Sequence, residues 1–436
     1  MQKARWFRLS LWLKIAGTAL GMVLLLTACN SEPPPAATPV LDEPSEDGQT
    51  ITVINPAASE NQGNPAAAPA ENTNNRYQIQ TRLTDFQLLS ETTGLAWGIT
   101  RNELRLYITA DNGKTWTNIS PAASVPFATT PEYAKDIFFL DPNHGFIVRN
   151  SAGSGDTIVL RTTDGGTTWK VTSFPGEGEV KAMVFADPDH GWLLSEVNMR
   201  ENGARSLYET DDGAQTFEVL LGGTDPMRLL SEDSPSLIPG TQTSMAFTSP
   251  LHGFVTEINQ GLPTLYTTQN GGLTWTQNLH FFNPNKYKTC DSFTVGPVSF
   301  FSGSVKEGWI PVGCTRGDST KFNGYFTEDA GSTWTLAPFQ LSWQTGLNEK
   351  LAPTFLTPNE GWTILDSTVY HTLNQGASWE PLPENKKLVE TLEDYPEIVK
   401  LQFFNSRVGW LLVAQENQKR SLLMQTKDGG RTWQVL

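Results

Sequence analysis

Thr162-Thr163-Asp164-Gly165-Gly166-Thr167-Thr168-Trp169 decides the reading of this chain, because the same spacing returns along its length. Thr109-Ala110-Asp111-Asn112-Gly113-Lys114-Thr115-Trp116 matches it, and so do residues 268–275, 327–334, 372–379 and 426–433. A degenerate copy, Thr210-Asp211-Asp212-Gly213-Ala214-Gln215-Thr216-Phe217, completes seven. Repetition at a fixed period marks an architecture of stacked units, and it has to be read before any local motif.

A second landmark keeps step with the first. A glycine followed by an aromatic or apolar residue precedes each copy: Gly94-Leu95, Gly145-Phe146, Gly191-Trp192, Gly253-Phe254, Gly308-Trp309, Gly361-Trp362 and Gly409-Trp410. Between the landmarks the apolar residues fall in short runs bounded by Gly, Asp and Asn, the pattern of strands and turns rather than helices. Each unit supplies four strands: one before the Gly turn, one after it, one entering the Thr-x-Asp turn and one leaving at its Trp. Seven such units predict an all-β, seven-bladed β-propeller over residues 76–436.

Within the turn, the acid and the threonines are placed to bond backbone amides, and the glycine supplies positive φ. The aromatic packs between sheets. Asp111, Trp116, Asp164, Trp169, Asp212, Phe217, Asn270, Trp275, Asp329, Trp334, Asn374, Trp379, Asp428 and Trp433 are therefore read as structural. Seven such positions spread around a rim, five carboxylates and two amides, do not converge on a metal or substrate. The same reasoning sets aside His144, His190 and His252, which occupy one turn position in three blades, so no metal and no cofactor are expected. Arg316-Gly317-Asp318 is a three-residue match to an adhesion tripeptide and is expected on a surface loop of the fifth blade.

The N-terminus carries a different message. Lys3, Arg5, Arg8 and Lys14 precede an apolar run over 15–26 that ends in Leu26-Thr27-Ala28-Cys29. That order predicts an export signal over 1–28, cleavage before Cys29 and lipidation of its thiol. An uncleaved membrane anchor is the alternative. Residues 29–75 are rich in Pro, Ala, Glu and Asn, with seven acids and no Lys or Arg, and read as a disordered tether. Its end-to-end distance would be roughly 40 Å.

The chain carries a net charge of −15; without the four signal bases and the seven tether acids, residues 76–436 carry −12. An acidic domain is a poor ligand for nucleic acid. Cys290 and Cys314 are the two cysteines left after Cys29, an even pair in an exported chain. They suit a disulfide, two buried free thiols being the alternative.

The Thr-x-Asp turns, the Gly-Trp landmarks and the lipobox together resemble Asp-box (bacterial neuraminidase repeat) proteins. The nearest likeness is to the photosystem II stability and assembly factor family. Its carriers are Phe185-Ala186-Asp187-Pro188-Asp189-His190-Gly191-Trp192 and Tyr266-Thr267-Thr268-Gln269-Asn270-Gly271-Gly272-Leu273-Thr274-Trp275. The resemblance covers about residues 82–436. It implies a seven-bladed propeller outside the cytoplasm that helps assemble a membrane or envelope protein complex without catalysis. The Arg-rich patch of the photosynthetic members has no counterpart here. Sialidases share the turn but carry an Arg-Ile-Pro segment that is absent.

Two other functions stay open, a cell-surface glycan or ligand binder and a glycoside hydrolase. For the second, Asp136 and Asp187 stand near the axis without a visible partner. The long interblade loops fall at 120–134, 221–243, 278–294 and 381–396. The third holds Phe281, Phe282, Lys286, Tyr287 and Lys288 beside Cys290, a cluster read as a candidate partner surface, with coverage of the ring's edge as the alternative.

Overall fold

The structure, a computed structural model, describes residues 50–54, 76–80, 82–121, 127, 129–150, 156–197, 204–222, 241–287, 289–345, 351–417 and 419–436. These residues form seven antiparallel sheets in chain order, the blades of a seven-bladed β-propeller. The third blade shows the plan: Glu179–Phe185, Gly191–Val197, Ala204–Thr210 and Glu218–Leu221, each paired with the next. The second strand of every blade opens on its landmark glycine, and the third strand ends on the threonine of its turn. First strands of neighbouring blades contact one another, which puts them at the axis and the fourth strands at the rim.

The landmark glycines are there for close approach. A Cβ at Gly253 would lie 2.6 Å from the ring of Phe247, and one at Gly409 would lie 2.7 Å from the ring of Phe403. Gly145, Gly191 and Gly361 are covered in the same way by Phe139, Phe185 and Phe355, always six residues upstream. The residue after the glycine then stacks on the corresponding phenylalanine of the following blade. Trp192 lies on Phe247 with centroids 3.6 Å apart, Phe146 on Phe185 at 3.4 Å and Trp362 on Phe403 at 4.3 Å. Seven apolar clusters result, one at each junction between blades.

Among the described residues the ring closes without an exchanged strand. The first blade (Asp85–Leu88, Gly94–Thr100, Glu103–Thr109, Trp116–Asn118) and the last (Glu397–Phe403, Gly409–Ala414, Ser421–Thr426, Gln434–Val435) are each contiguous in sequence. Their junction is held by side chains. Leu83 N donates to Ser421 Oγ at 2.8 Å, Leu88 N to Gln402 Oε1 at 3.0 Å, and Lys400 Nζ to the Phe86 carbonyl at 2.7 Å. Trp410 Nε1 and Gln425 Nε2 both donate to Asn112 of the first blade.

Three features differ from the sequence reading. Thr50–Ile54, inside the expected 29–75 tether, is a strand that pairs antiparallel with Arg76–Gln80 and parallel with Trp116 and Thr117. Residues 76–80 therefore join the first blade's outer edge through that strand. The β-branched run of 51–54 supplies the propensity. The fifth blade's first strand is split into Ser292–Val295 and Ser299–Phe300, and an extra strand, Gln344–Thr345, pairs with Ser319–Thr327. Finally, the 381–396 loop contains a helix, Lys386–Asp394, capped by Asn385, which accepts from Leu388 N at 2.9 Å. Leu388 anchors it in the cluster between the last two blades. The expected signal, Cys29 and the rest of the tether lie outside the described residues.

Candidate functional site

The two ends of the ring are built differently. At one end each blade presents its Thr-x-Asp turn and its first-to-second-strand turn, and the two are bonded together. Asn112 N donates to the Thr92 carbonyl, Gly165 N to Asn143, Gly213 N to Asp189, Gly271 N to Leu251, Ala330 N to Lys306, Gln375 N to Asn359 and Gly429 N to Arg407, all at 2.7–3.1 Å. The turns are also satisfied within themselves. In the second blade Asp164 Oδ1 accepts from Thr162 Oγ1 at 2.8 Å and from Thr168 N at 2.9 Å, while Oδ2 accepts from Thr168 Oγ1 at 2.6 Å. Gly166 N, at φ 84°, donates back to Thr162 Oγ1.

The same bonds recur around Asp111, Asp212, Asp329 and Asp428. Where asparagine stands instead, its amide donates: Asn270 Nδ2 to Thr274 Oγ1 at 2.9 Å and Asn374 Nδ2 to Ser378 Oγ at 2.8 Å. Burial raises the Asp164 carboxyl, but the bonds from Thr168 and Thr162 outweigh it and hold it below the ordinary carboxylate range. For Asp329 the backbone bond from Thr333 is the largest influence, in the same direction.

The turn aromatics divide by use. Trp116, Trp334 and Trp433 are buried and donate to the carbonyl of their own turn glycine, at 3.0–3.2 Å. Trp169 reaches the Ile119 carbonyl of the preceding blade at 2.9 Å. Trp275 and Trp379 pack edge-on against Phe247 and Phe355, and Phe217 against Phe174. The landmark tryptophans do a job that sequence reasoning missed: Trp192 Nε1 donates to the Gly271 carbonyl at 2.8 Å and Trp362 Nε1 to Gly429 at 3.0 Å, each in the next blade's turn.

The opposite end carries the hairpins between second and third strands and the interblade loops. Here the axis opens on a cavity of about 560 Å³ whose walls include Arg82, Leu351, Ile364, Asp366, Glu397 and Val399. Beside it the first strands carry charge. Lys400 pairs with Asp85 at 3.2 Å across the closure, and Glu179 is held by Lys135 at 3.0 Å and Lys181 at 2.6 Å. Asp136 is 4% exposed. It accepts from Glu132 N at 2.9 Å, and burial pushes its carboxyl up to about 6. Asp187 is elsewhere, in a turn at the other end, where it accepts from Asp189 N and bonds His190. The structure therefore does not bring Asp136 and Asp187 together. The signal that would have found the axial set is the acid opening the first strand in several blades: Asp85, Asp136, Glu179 and Glu397.

Between the third and fourth blades Glu257 is fully buried, with Oε1 unpartnered and Oε2 3.4 Å from Arg205 Nη1. Arg205 Nε also donates to Glu196 at 2.9 Å. Burial raises the Glu257 carboxyl to about 7, against the opposing pull of Arg205.

The candidate partner cluster needs correction. Phe281 and Tyr287 are core residues: Phe281 packs on Tyr325 and Trp334, and Tyr287 Oη lies 3.2 Å from Tyr325 Oη. Phe282 is half-buried against Tyr287 and Phe293, Lys286 is exposed, and Lys288 lies outside the described residues. Cys290 and Cys314 form a disulfide with Cα atoms 5.5 Å apart, fixing this loop to the fifth blade's Gly308–Arg316 strand. Phe281 and Tyr287 seal the ring's edge, and among the described residues of the loop Lys286 is the cation that faces solvent, in the company of Leu279, Asn283, Asn285 and Asp291. Arg316-Gly317-Asp318 forms the exposed hairpin tip.

No family model and no curated protein matches this chain. Among solved structures it is similar to "YCF48 bound to D1 peptide", 18% identical over 79% of this chain and 93% of that one, with a TM-score of 0.46. YCF48 from Cyanidioschyzon merolae is 17% identical over 79% and 95%, with a TM-score of 0.44. The GH74 xyloglucanase from Xanthomonas campestris is 12% identical over 80% of this chain and 54% of that one, with a TM-score of 0.50. Likeness at such identities speaks to the propeller fold alone.

Proposed function

We propose that this chain is a membrane-tethered, extracytoplasmic protein-binding propeller, a scaffold or assembly factor that works without catalysis through the loop-bearing end of its ring. The observation that carries this reading is the asymmetry of the two ends. The Asp, Asn and threonine side chains that close the seven turns are taken up by internal bonds, which leaves them little to offer a partner. The other end offers a charged axial mouth and loops free to vary on a rigid ring. The repeat-and-lipobox resemblance supports the same reading, and Cys29 supplies the anchor. Diacylation at a cysteine gives the two chains that stable membrane attachment requires.

Capture of the lipidated protein from its own membranes after mild crosslinking tests this. The expected result is a defined membrane complex, lost when residues 278–294 are replaced by a Gly-Ser linker that keeps the chain folded. Recovery of no protein contradicts it. Cys29→Ser is expected to abolish radiolabelled palmitate incorporation; unchanged incorporation would contradict the anchor.

A second reading has one observation in its favour: Asp366 and Glu397 line the same axial cavity, and a glycoside hydrolase works with two carboxyl groups on either side of the bond it cleaves. It predicts release of reducing ends from envelope polysaccharide, abolished by Asp366→Asn or Glu397→Gln. The binding reading predicts no hydrolysis.

A further inference from the structure

The geometry points to a groove on the fifth blade that receives an acidic segment of a protein partner. This rests on the protein-binding reading for the class of its occupant and adds the place and the chemistry. The groove, about 540 Å³, lies between the disulfide-pinned loop and the chain that follows Thr335–Ala337. Lys286, Lys321, Tyr287, Leu336, Pro338 and Trp343 are among its walls, and among the described residues no carboxylate lines it. Arg316 extends the cationic side by stacking its guanidinium on Trp343, 4.7 Å from the ring centre.

Three facts make this a binding surface rather than an incidental dip. First, its cations are uncommitted. Among the described residues, Lys286, Lys321 and Arg316 make no ion pair. In a chain of net charge −15, adjacent cations without partners form a local field that attracts an anion. Asp291 and Asp318 flank the hairpin side and Asp291 accepts from Gly317 N at 2.8 Å, so the three cations are only partly offset.

Second, the walls are held before anything binds. The disulfide fixes one side. Asn283 caps the turn Pro284–Lys286 by accepting from Asn285 N, and Tyr287 is bonded to Tyr325. A preformed site loses little ordering entropy on binding.

Third, the outer pairing of Ser319–Thr327 skips Lys321–Asn323. Thr335–Ala337 pairs with 324–326 and Gln344–Thr345 with 319–320, so both polar side chains of the gap, Lys321 and Asn323, line the groove. Leu336, Pro338 and Trp343 suit aliphatic or aromatic side chains. Sugar hydroxyls would need acceptors, and the groove offers few: the lysines only donate, Asn323 Oδ1 already accepts from Phe339 N at 3.1 Å and Tyr287 is bonded to Tyr325. The occupant is thus a peptide that combines carboxylates with apolar residues.

The test uses the full mature chain in detergent and a fluorescein-labelled dodecapeptide of alternating acidic residues and leucine, read by anisotropy. Saturable binding that weakens with salt is expected. The double charge reversal Lys286→Glu with Lys321→Glu should weaken it at least tenfold, Trp343→Ala severalfold, and the distant Lys419→Glu not at all. Thermal melts confirm that each variant is folded.

Equal binding by the charge-reversed chain would overturn the proposal, as would tighter binding of polygalacturonate than of the peptide. So would a tenfold gain in affinity when the seven tether acids are neutralised, which would assign the groove to the chain's own tether. Membrane capture separates the two levels. A complex recovered equally with wild-type and charge-reversed chains refutes the groove and leaves the protein-binding reading standing. Peptide bound in the groove with no membrane protein captured refutes that reading.

Discussion

Asp164 and Asn270 show how much of this protein is decided by one side chain's hydrogen bonds. Both close the same turn, one accepting at two oxygens and the other accepting at Oδ1 and donating at Nδ2. The exchange Asp164→Asn should therefore cost less than about 0.5 kcal/mol in urea melts at neutral pH, whereas Asp164→Ala, which strands Thr168 N, should cost about 1–2 kcal/mol. A comparable loss for both would mean that charge, not geometry, holds the turn. The landmark glycine argues the same way from sterics. Gly253→Ala sets a methyl against the Phe247 ring and should cost about 1–3 kcal/mol. Pairing it with Phe247→Leu should recover part of the loss, because the two sites share one contact.

At the scale of elements, the strands and their limits were legible because each is bounded by a motif whose bonds are local in sequence. The Thr-x-Asp turn stops one strand and starts the next, and the glycine landmark opens the second. Elements defined by distant partners were not legible. The strand Thr50–Ile54 needs the edge at Trp116 to be seen as anything but tether. The helix Lys386–Asp394 is a short stretch whose anchoring residue, Leu388, gains its meaning from the last two blades.

Phe281 and Tyr287 looked like contact residues because a loop aromatic beside lysines has no sequence signal for burial. Tyr325 and the Cys290–Cys314 bridge, both remote in sequence, put them inside. Residues 290 and 314 are 24 apart, so removing the bridge in a Cys290→Ser/Cys314→Ser chain should cost about 3 kcal/mol by loop entropy. Denaturant midpoints compared with the oxidised parent check this; an unchanged midpoint would mean that the aromatic seal alone fixes the loop.

Across the whole molecule, opposite pKa shifts set a pH window. Asp111, Asp164, Asp212, Asp329 and Asp428 are held below their ordinary values, so their stabilisation is present above about pH 4 and lost as the pH falls through the folded values. Asp136 and Glu257 are raised to about 6 and about 7. Their contribution is complete below their ordinary values near 4 and is lost as the pH rises through 6 and 7, on the order of 3 kcal/mol each at most. Thermal melts should show maximum stability between pH 4 and 6. Glu257→Gln should flatten the decline toward pH 8, with Arg205 retained by Glu196. A maximum above pH 7 would contradict the upward shift of the buried Glu257 carboxyl.

The asymmetry of the ring, one end of self-satisfied turns and one of loops around a charged mouth, is the claim from which the function follows. Its most direct test is site-specific photocrosslinking in the native membrane, with a benzophenone amino acid placed singly at each end. Lys286, Leu262 and Asp366 serve at the loop end; Thr167, Leu251 and Leu273 serve at the turn end. Adducts of one defined protein from the loop-end positions, and none from the turn-end positions, are predicted. Adducts from the turn end, or none from either, would contradict the account.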